Sequence, residues 1–173
     1  MQIDNLQIRR AEPNDSAALH EIFSGPKAYS GTLQLPYPSA EQWRQRLANP
    51  DDGTYRLVAV VDGRVVGLAG IHTIPHHPRR RHAAGIGMTV HDDWQGQGIG
   101  TALMRATVDM ADKWLNLVRL ELEVYTDNEA AIRLYERFGF VHEGTLRRHA
   151  FRDGQYVDSH VMARLRPDGS RAS

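Results

Sequence analysis

Gln95-Gly96-Gln97-Gly98-Ile99-Gly100 joins an apolar, strand-like run to an amphipathic helix. A chain that must turn from strand to helix through closely spaced glycines has few folds open to it. The turn also has chemical content. Glycines carry no Cβ, so a ligand can approach their N–H groups closely. The helix that follows brings partial positive charge to the same place. The pattern points to a site for a diphosphate. It is not the dinucleotide fingerprint, which needs G-x-G-x-x-G early in a βαβ unit. It is not a P-loop either, because no lysine follows Gly100. A glycine-rich turn without a ligand is the remaining alternative.

The flanking segments define the architecture. Leu6 to Arg10 alternates like a short strand, and Asn14 or Asp15 can cap a helix reaching Phe23. Gly25 and Pro26 are expected to stop that helix, leaving Tyr29 to Pro38 irregular. Ser39 to Gln42 is a capping-box pattern opening a helix to Leu47. Tyr55 to Val61, Asp62-Gly63 and Val65 to Ile74 form a hairpin signature. Ala83 to Val90 is a strand. Ile99, Leu103, Ala106, Met110 and Trp114 recur at helical spacing. Val118, Leu120, Leu122 and Val124 alternate with polar residues as a strand, and Asp127 or Asn128 can cap a helix through Phe138. Phe140 to Arg148 and Tyr156 to Leu165 are strands around Asp153-Gly154. The order β-α-α-β-β-β-α-β-α-β-β predicts one α/β (α+β) domain with a mixed sheet.

Bulk properties narrow the function. The chain has 173 residues, suited to one domain. Lys+Arg and Asp+Glu both number 21, so nothing global attracts nucleic acid or an anionic membrane. There is no cysteine, which rules out disulfides, cysteine nucleophiles and thiolate metal sites and suits a reducing cytoplasm. The first residues carry no signal-peptide pattern, and no apolar run approaches the roughly 20 residues of a membrane span. His76 to His82 is charged, but it lacks the spacing of a metal site and the aromatics of a nucleic-acid patch. It reads as a solvated loop.

Gln95, Gly98 and Gly100, preceded by Met88-Thr89-Val90 and Trp94, match the pattern [QR]-x-x-G-x-[GA]. Asn128, Ala131, Tyr135, Gly139 and Phe140 match N-x-x-A-x-x-x-Y-x-x-x-G-F. Together these motifs resemble the GCN5-related N-acetyltransferase (GNAT) superfamily over about Met88 to Phe140. Thr32 to Pro36 and Gly154 to Asp158 are similar to a YhhY-like branch acting on free L-amino acids. The resemblance implies a mixed central sheet of about seven strands flanked by four helices. It implies a domain over residues 1–166, with 167–173 as a flexible tail.

It further implies an acetyl-CoA-dependent N-acetyltransferase, without a metal, moving acetyl directly to a primary amine. The α-amino group of a free L-amino acid is the leading acceptor. A protein N-terminus or an amine drug or herbicide is the alternative, as is a non-catalytic CoA-binding module. Met88, Thr89, Val90, Gln95, Gly96, Gln97, Gly98, Ile99, Gly100, Thr101, Asn128, Ala131 and Tyr135 would contact acetyl-CoA. The pantetheine would lie along Met88-Thr89-Val90 like an added strand, and an N–H near Thr89 or Val90 would polarise the thioester carbonyl. Tyr135 would protonate the departing thiolate. Asn128 and Tyr135 lie seven residues apart, on nearly one helix face and roughly 10 Å along the axis. Their alternatives are an N-cap and a core aromatic.

The base is open. Many relatives carry a glutamate where this chain has Ala84-Gly85-Ile86. Glu121 and Glu123, on one strand face, could act through water, or they could pair with Arg119. His72 is a further candidate. Gln97 stands where many relatives have Arg or Lys, leaving the partner of the CoA 3′-phosphate unassigned. Tyr29, Thr32, Leu33 and Tyr37 are expected to border the acceptor, and a homodimer, common among relatives, could pair the exposed final strands.

Overall fold

The computed structural model describes residues 3–167. Of the expected tail, 168–173 lie outside the described residues. The strands are β1 (Leu6–Arg10), β2 (Thr54–Val61), β3 (Arg64–Thr73), β4 (Ala83–Val90), β5 (Arg119–Tyr125), β6 (Val141–Arg152) and β7 (Gln155–Leu165). The α-helices are α1 (Ser16–Ser24), α2 (Pro26–Ser30), α3 (Ala40–Ala48), α4 (Ile99–Lys113) and α5 (Glu129–Arg137). The seven strands form one sheet in the order β1-β2-β3-β4-β5-β7-β6. This is the mixed α/β sheet expected, with every neighbouring pair antiparallel except β4 and β5.

The centre of the sheet reads as continuous apolar sequence because both of its faces are covered. Leu57, Ala59 and Val61 of β2 pack with Ile99 and Leu103 of α4. Val58 and Val60, pointing the other way, pack with Leu19 and Ile22 of α1 and Trp43 of α3. Phe23 stacks on Trp43 with ring centroids 4.6 Å apart. Beneath α4 and α5, Leu120, Leu122, Val124, Tyr135 and Phe140 form a further cluster.

One helix was not expected. Gly25 and Pro26 do not simply end α1; proline at a first helical position, with its φ already set, starts α2. This additional helix, α2, runs along a crevice in the sheet. At its start the Asp92 carboxylate accepts from the N–H groups of Lys27 and Ala28, both at 3.0 Å. Just past its end the Tyr125 hydroxyl donates to the Thr32 carbonyl at 2.9 Å. Asp92 follows β4 and Tyr125 closes β5, so α2 straps one arm of the sheet to the other.

The strap depends on Asp92. Replacing it with alanine removes the acceptor for two amides, at a cost of about 1–3 kcal/mol. Hydrogen exchange is expected to accelerate at Lys27 and Ala28 in Asp92→Ala while Val58 and Val66 keep their protection. Unchanged exchange at Lys27 and Ala28 refutes the strap.

Candidate active site

The parallel pair β4–β5 is short. Ala83 pairs with Arg119, Ala84 with Leu120 and Gly85 with Glu121, and there the pairing ends. β4 continues to Val90 and β5 to Tyr125, so the two strands splay into a V. β3 remains paired to β4 along its other edge through Val90. From Ile86 onward, the edge of β4 that faces β5 has no strand partner among the described residues. Burial loosens along the same stretch: Ala83 and Ala84 are fully buried, while Gly87 is exposed. A Cβ built at Gly85 or Gly87 would meet no heavy atom of the described residues within 4 Å, so open space lies beside these glycines rather than packed core.

A crevice of about 770 Å³ occupies the V. That volume lies within the usual range for a ligand site. Met88, Thr89 and Val90 form one wall, and Glu123, Val124 and Tyr125 the facing one. Gln95, Gly96, Gly98, Gly100 and Thr101 line it from the glycine loop, and Asn128, Ala131 and Tyr135 from α5. Thr32 reaches it from the strap.

The loop's conformation requires glycine. Gly96 has φ +74° and Gly98 φ +90°, a left-handed region costly for other residues, and Gly98 is the N-cap of α4. No heavy atom of the described residues lies within 4 Å of a Cβ built at either. Their backbone is therefore open to an incoming ligand at a helix N-terminus. Gln95 Nε2 donates to the Val90 carbonyl at 3.2 Å, tying the loop to the end of β4. Gln97 does not line the crevice; its amide donates to the Asp93 carbonyl at 2.8 Å. Ile99 is buried in the core beneath the loop.

Asn128 caps α5: its Oδ1 accepts from the Ala131 N–H at 3.2 Å. The cap uses an acceptor and leaves the two Nδ2 hydrogens for other partners. Tyr135 joins both of its expected settings. Its ring packs 5.8 Å from that of Phe140, and the residue also forms crevice wall. Burial pushes its phenol up to about 12, so it holds its proton throughout the physiological range.

The carboxylates separate into different environments. Glu121 lies outside the crevice lining. Arg119 Nε reaches its Oε1 at 2.6 Å and Arg80 Nη2 reaches the same oxygen at 2.8 Å. Burial pushes the Glu121 carboxyl up, but the two guanidinium groups outweigh it and hold it below its ordinary range. Glu123 does line the crevice, and its Oε2 lies 3.3 Å from His149 Nε2. The other ring nitrogen of His149, Nδ1, is buried without a hydrogen-bond partner among the described residues. His72 stands apart on β3, with Nδ1 3.4 Å from Thr54 Oγ1. Among the described residues no group of three or more His, Asp and Glu side chains is placed to hold a metal.

The segment expected to border the acceptor divides. Ser30, Gly31 and Thr32 line the crevice, whereas Tyr29, Leu33 and Tyr37 do not. Leu33 is 68% exposed and Tyr37 98%. Other lining residues fall outside the set expected from sequence. Lys27 and Arg137 line the crevice, with Arg137 Nη2 3.4 Å from Thr101 Oγ1. Arg152 also lines it, paired with Asp127 and lying over the Tyr125 ring at 5.0 Å. Arg137 sits two residues beyond Tyr135, a proximity visible in sequence. Arg152 comes from the far end of β6, and no local pattern marks it.

Comparison with known proteins agrees with this geometry. The model of the acetyltransferase (GNAT) family matches residues 17–140. The chain is 42% identical over 164 residues to an L-amino acid N-acetyltransferase, AaaT, of Escherichia coli K12, covering 95% of this chain and all of that protein. It is 28% identical to spermidine N(1)-acetyltransferase of the same organism, covering 88% of this chain and 81% of that one. Among solved structures, spermidine N-acetyltransferase from Vibrio cholerae in complex with CoA and spermine superposes with a TM-score of 0.81 at 26% identity, covering 93% and 95% of the two chains. A GNAT-family acetyltransferase from Streptococcus pneumoniae gives 0.79 at 28% identity, covering 94% and 99%. With its splayed strands, open glycine loop and matching sequence, this chain belongs to the GNAT family of acetyltransferases.

Proposed function

We propose that this acetyl-CoA-dependent N-acetyltransferase acts on the α-amino group of free L-amino acids, with residues 1–166 as one catalytic domain. The observation that carries this reading is the 42% identity, across all of its length, to a protein named for that activity. The crevice supports it. A polyamine acceptor calls for several free carboxylates, yet Glu123 and Asp127 each already have a cationic or imidazole neighbour.

Acetyl-CoA supplies the activated acetyl group. The open N–H groups of the glycine loop suit its pyrophosphate, and Arg137 beside Thr101 offers a cation for its phosphates. Gln97, folded back on Asp93, is a neutral brace there. The unpaired edge of β4 at Met88, Thr89 and Val90 suits the amides of a pantetheine. Asn128 Nδ2 offers another donor. An N–H at Thr89 or Val90 can stabilise the carbonyl oxygen as negative charge develops.

Glu123 serves as the base, directly or through a water: of the two carboxylates lining the crevice, Asp127 is engaged by the Arg152 guanidinium, whereas Glu123 has the His149 imidazole beside it. It takes a proton from the acceptor ammonium. The amine lone pair then forms the C–N bond as the C–S bond breaks, and Tyr135 gives its proton to the sulfur. The new amide nitrogen sheds its surplus proton by way of water to restore the phenol, and Glu123 releases its proton to solvent. A phenol near 12 and a thiol near its usual value of about 8.5 differ by roughly 3.5 units, or about 5 kcal/mol. Full transfer from the buried phenol to a fully hydrated thiolate would be uphill by that amount. The same burial that raises the phenol raises the thiol, since both lose a hydrated anion, and the gap narrows.

We further read the enzyme as cytoplasmic and dimeric. The lack of cysteine supports the first. Exposed Val141, Leu146 and Phe151 on the edge strand β6 support the second. Sedimentation equilibrium is expected to give twice the chain mass; the monomer mass rules the dimer out.

The acceptor assignment is tested by thiol release from acetyl-CoA with L-phenylalanine, L-methionine and spermidine, and by the mass of the product. N-acetyl amino acid is the expected product. Turnover confined to spermidine, or none with any amine, refutes the assignment. In Tyr135→Phe, kcat is expected to fall about 10²–10⁴-fold with little change in acetyl-CoA affinity. The phenol stays protonated to about pH 12, so it should impose no alkaline loss of rate below about pH 10. An unaltered kcat ends its role as acid. In Glu123→Gln, kcat/KM at pH 7 is expected to drop by about 10²-fold and to recover partly at pH 9, where more of the amine is already free. A loss independent of pH rejects Glu123 as the base.

A further inference from the structure

The Arg152–Asp127 pair has no part in the chemistry just described, yet it lines the crevice beside it. Arg152 is the last residue of β6, and Asp127 follows β5 immediately before the cap of α5. Both guanidinium Nη atoms meet the Asp127 carboxylate, Nη1 to Oδ1 at 3.3 Å and Nη2 to Oδ2 at shorter range. The guanidinium lies over the Tyr125 ring, 5.0 Å from its centroid. Tyr125 is itself fixed by its hydroxyl bond to the Thr32 carbonyl on the strap. The cation is thus held in orientation by stacking from one side and by a carboxylate at one edge.

An arginine has five N–H donors in a planar fork. Asp127 engages one hydrogen on each Nη, which leaves the Nε–H and a second hydrogen on each Nη. Those donors can receive another carboxylate in the two-point geometry that guanidinium favours. The side chain keeps about a quarter of its surface open, so the site is accessible without being fully hydrated. Asp127 is more than half exposed and is held ionised by Arg152, which keeps the pair locally neutral. A neutral zwitterion can therefore enter without a net charge being transferred.

We infer that Arg152 is the specificity residue for the acceptor's α-carboxylate, making this crevice selective for free amino acids over amines that lack a carboxylate. The inference rests on the proposed amino-acid acceptor and names how that acceptor is recognised. With the carboxylate on Arg152, the α-amino group one carbon away lies on the Glu123–Tyr125 side of the crevice. Glu123 is two residues from Tyr125 and on the same face of β5, so the proton acceptor and the anchor flank one substrate. Arg152 binds substrate and takes no part in proton transfer.

The experiment compares L-phenylalanine with L-phenylalaninamide, which keeps the amine and side chain but replaces the carboxylate. The wild-type enzyme is expected to prefer the free acid at least tenfold in kcat/KM. Arg152→Gln is expected to erase that preference through a higher KM for phenylalanine, and Arg152→Lys to restore part of it. Asp127→Asn keeps the guanidinium and is expected to retain the preference. A wild-type enzyme that does not discriminate between the two acceptors overturns the inference. So does an Arg152→Gln variant that loses both acceptors in equal proportion, or an Asp127→Asn variant that behaves like it, since either result describes a structural pin. In these cases the amino-acid assignment stands, because phenylalanine is still acetylated by the wild type. If the wild type acetylates neither compound, or the amide alone, that assignment fails first and the inference falls with it.

Discussion

The structure turns on a parallel strand pair that stops early. β4 and β5 share three paired positions and then diverge. Ending a ladder in mid-sheet exposes backbone donors and acceptors, and a buried, unpaired one costs about 1–3 kcal/mol. The fold meets this demand by keeping the exposed edge at a crevice rather than in the core. β3 secures β4 on its other side and β7 secures β5, so each arm of the V stays paired along its outer edge. The gap between them is left with the geometry of a missing strand.

The other elements set the shape and chemistry of that gap. α4 covers β2 and β3, and its N-terminus delivers the glycine loop to the mouth of the crevice. α5 packs below β5 and brings Asn128 and Tyr135 to the wall two turns apart. α2 bridges the arms through Asp92 and Tyr125. The chain's zero net charge hides a local order. Arg137 stands near the loop that suits an anion, while Arg152 with Asp127 occupies the wall beside Tyr125. Burial does the remaining tuning by holding Tyr135 protonated.

Much of this was legible in the chain because the signals are local. Ser39 accepts from the Gln42 N–H as the capping pattern predicts. The hairpin at Asp62-Gly63 forms, with both residues at positive φ. The crevice gathers Met88, Thr89, Val90, Gln95, Gly98, Thr101, Asn128, Ala131 and Tyr135 because two short motifs bring them. What failed locally did so for a physical reason. Gly25-Pro26 serves equally as a stop and as a helix start, and the Asp92 carboxylate, distant in sequence, supports the second by accepting from the first amides of α2. β6 runs on past Arg148 to Arg152 because a register shift between Leu146 and Ala150 absorbs the positive φ at Arg148. Glu121 and Glu123 look equivalent on their strand, yet two arginines occupy the first and the crevice receives the second.

The sequence by itself determined the strand-to-helix glycine loop, the apolar strands buried on two faces, and the asparagine–tyrosine helix face, since each is written in residue spacing and in the absence of Cβ atoms. Only the tertiary structure decided where β4 and β5 part and which carboxylate faces the gap. It alone brought Arg152, 25 residues away in the chain, against Asp127. Those outcomes depend on pairing and packing between distant segments, where the position of one strand end changes what every neighbouring side chain meets.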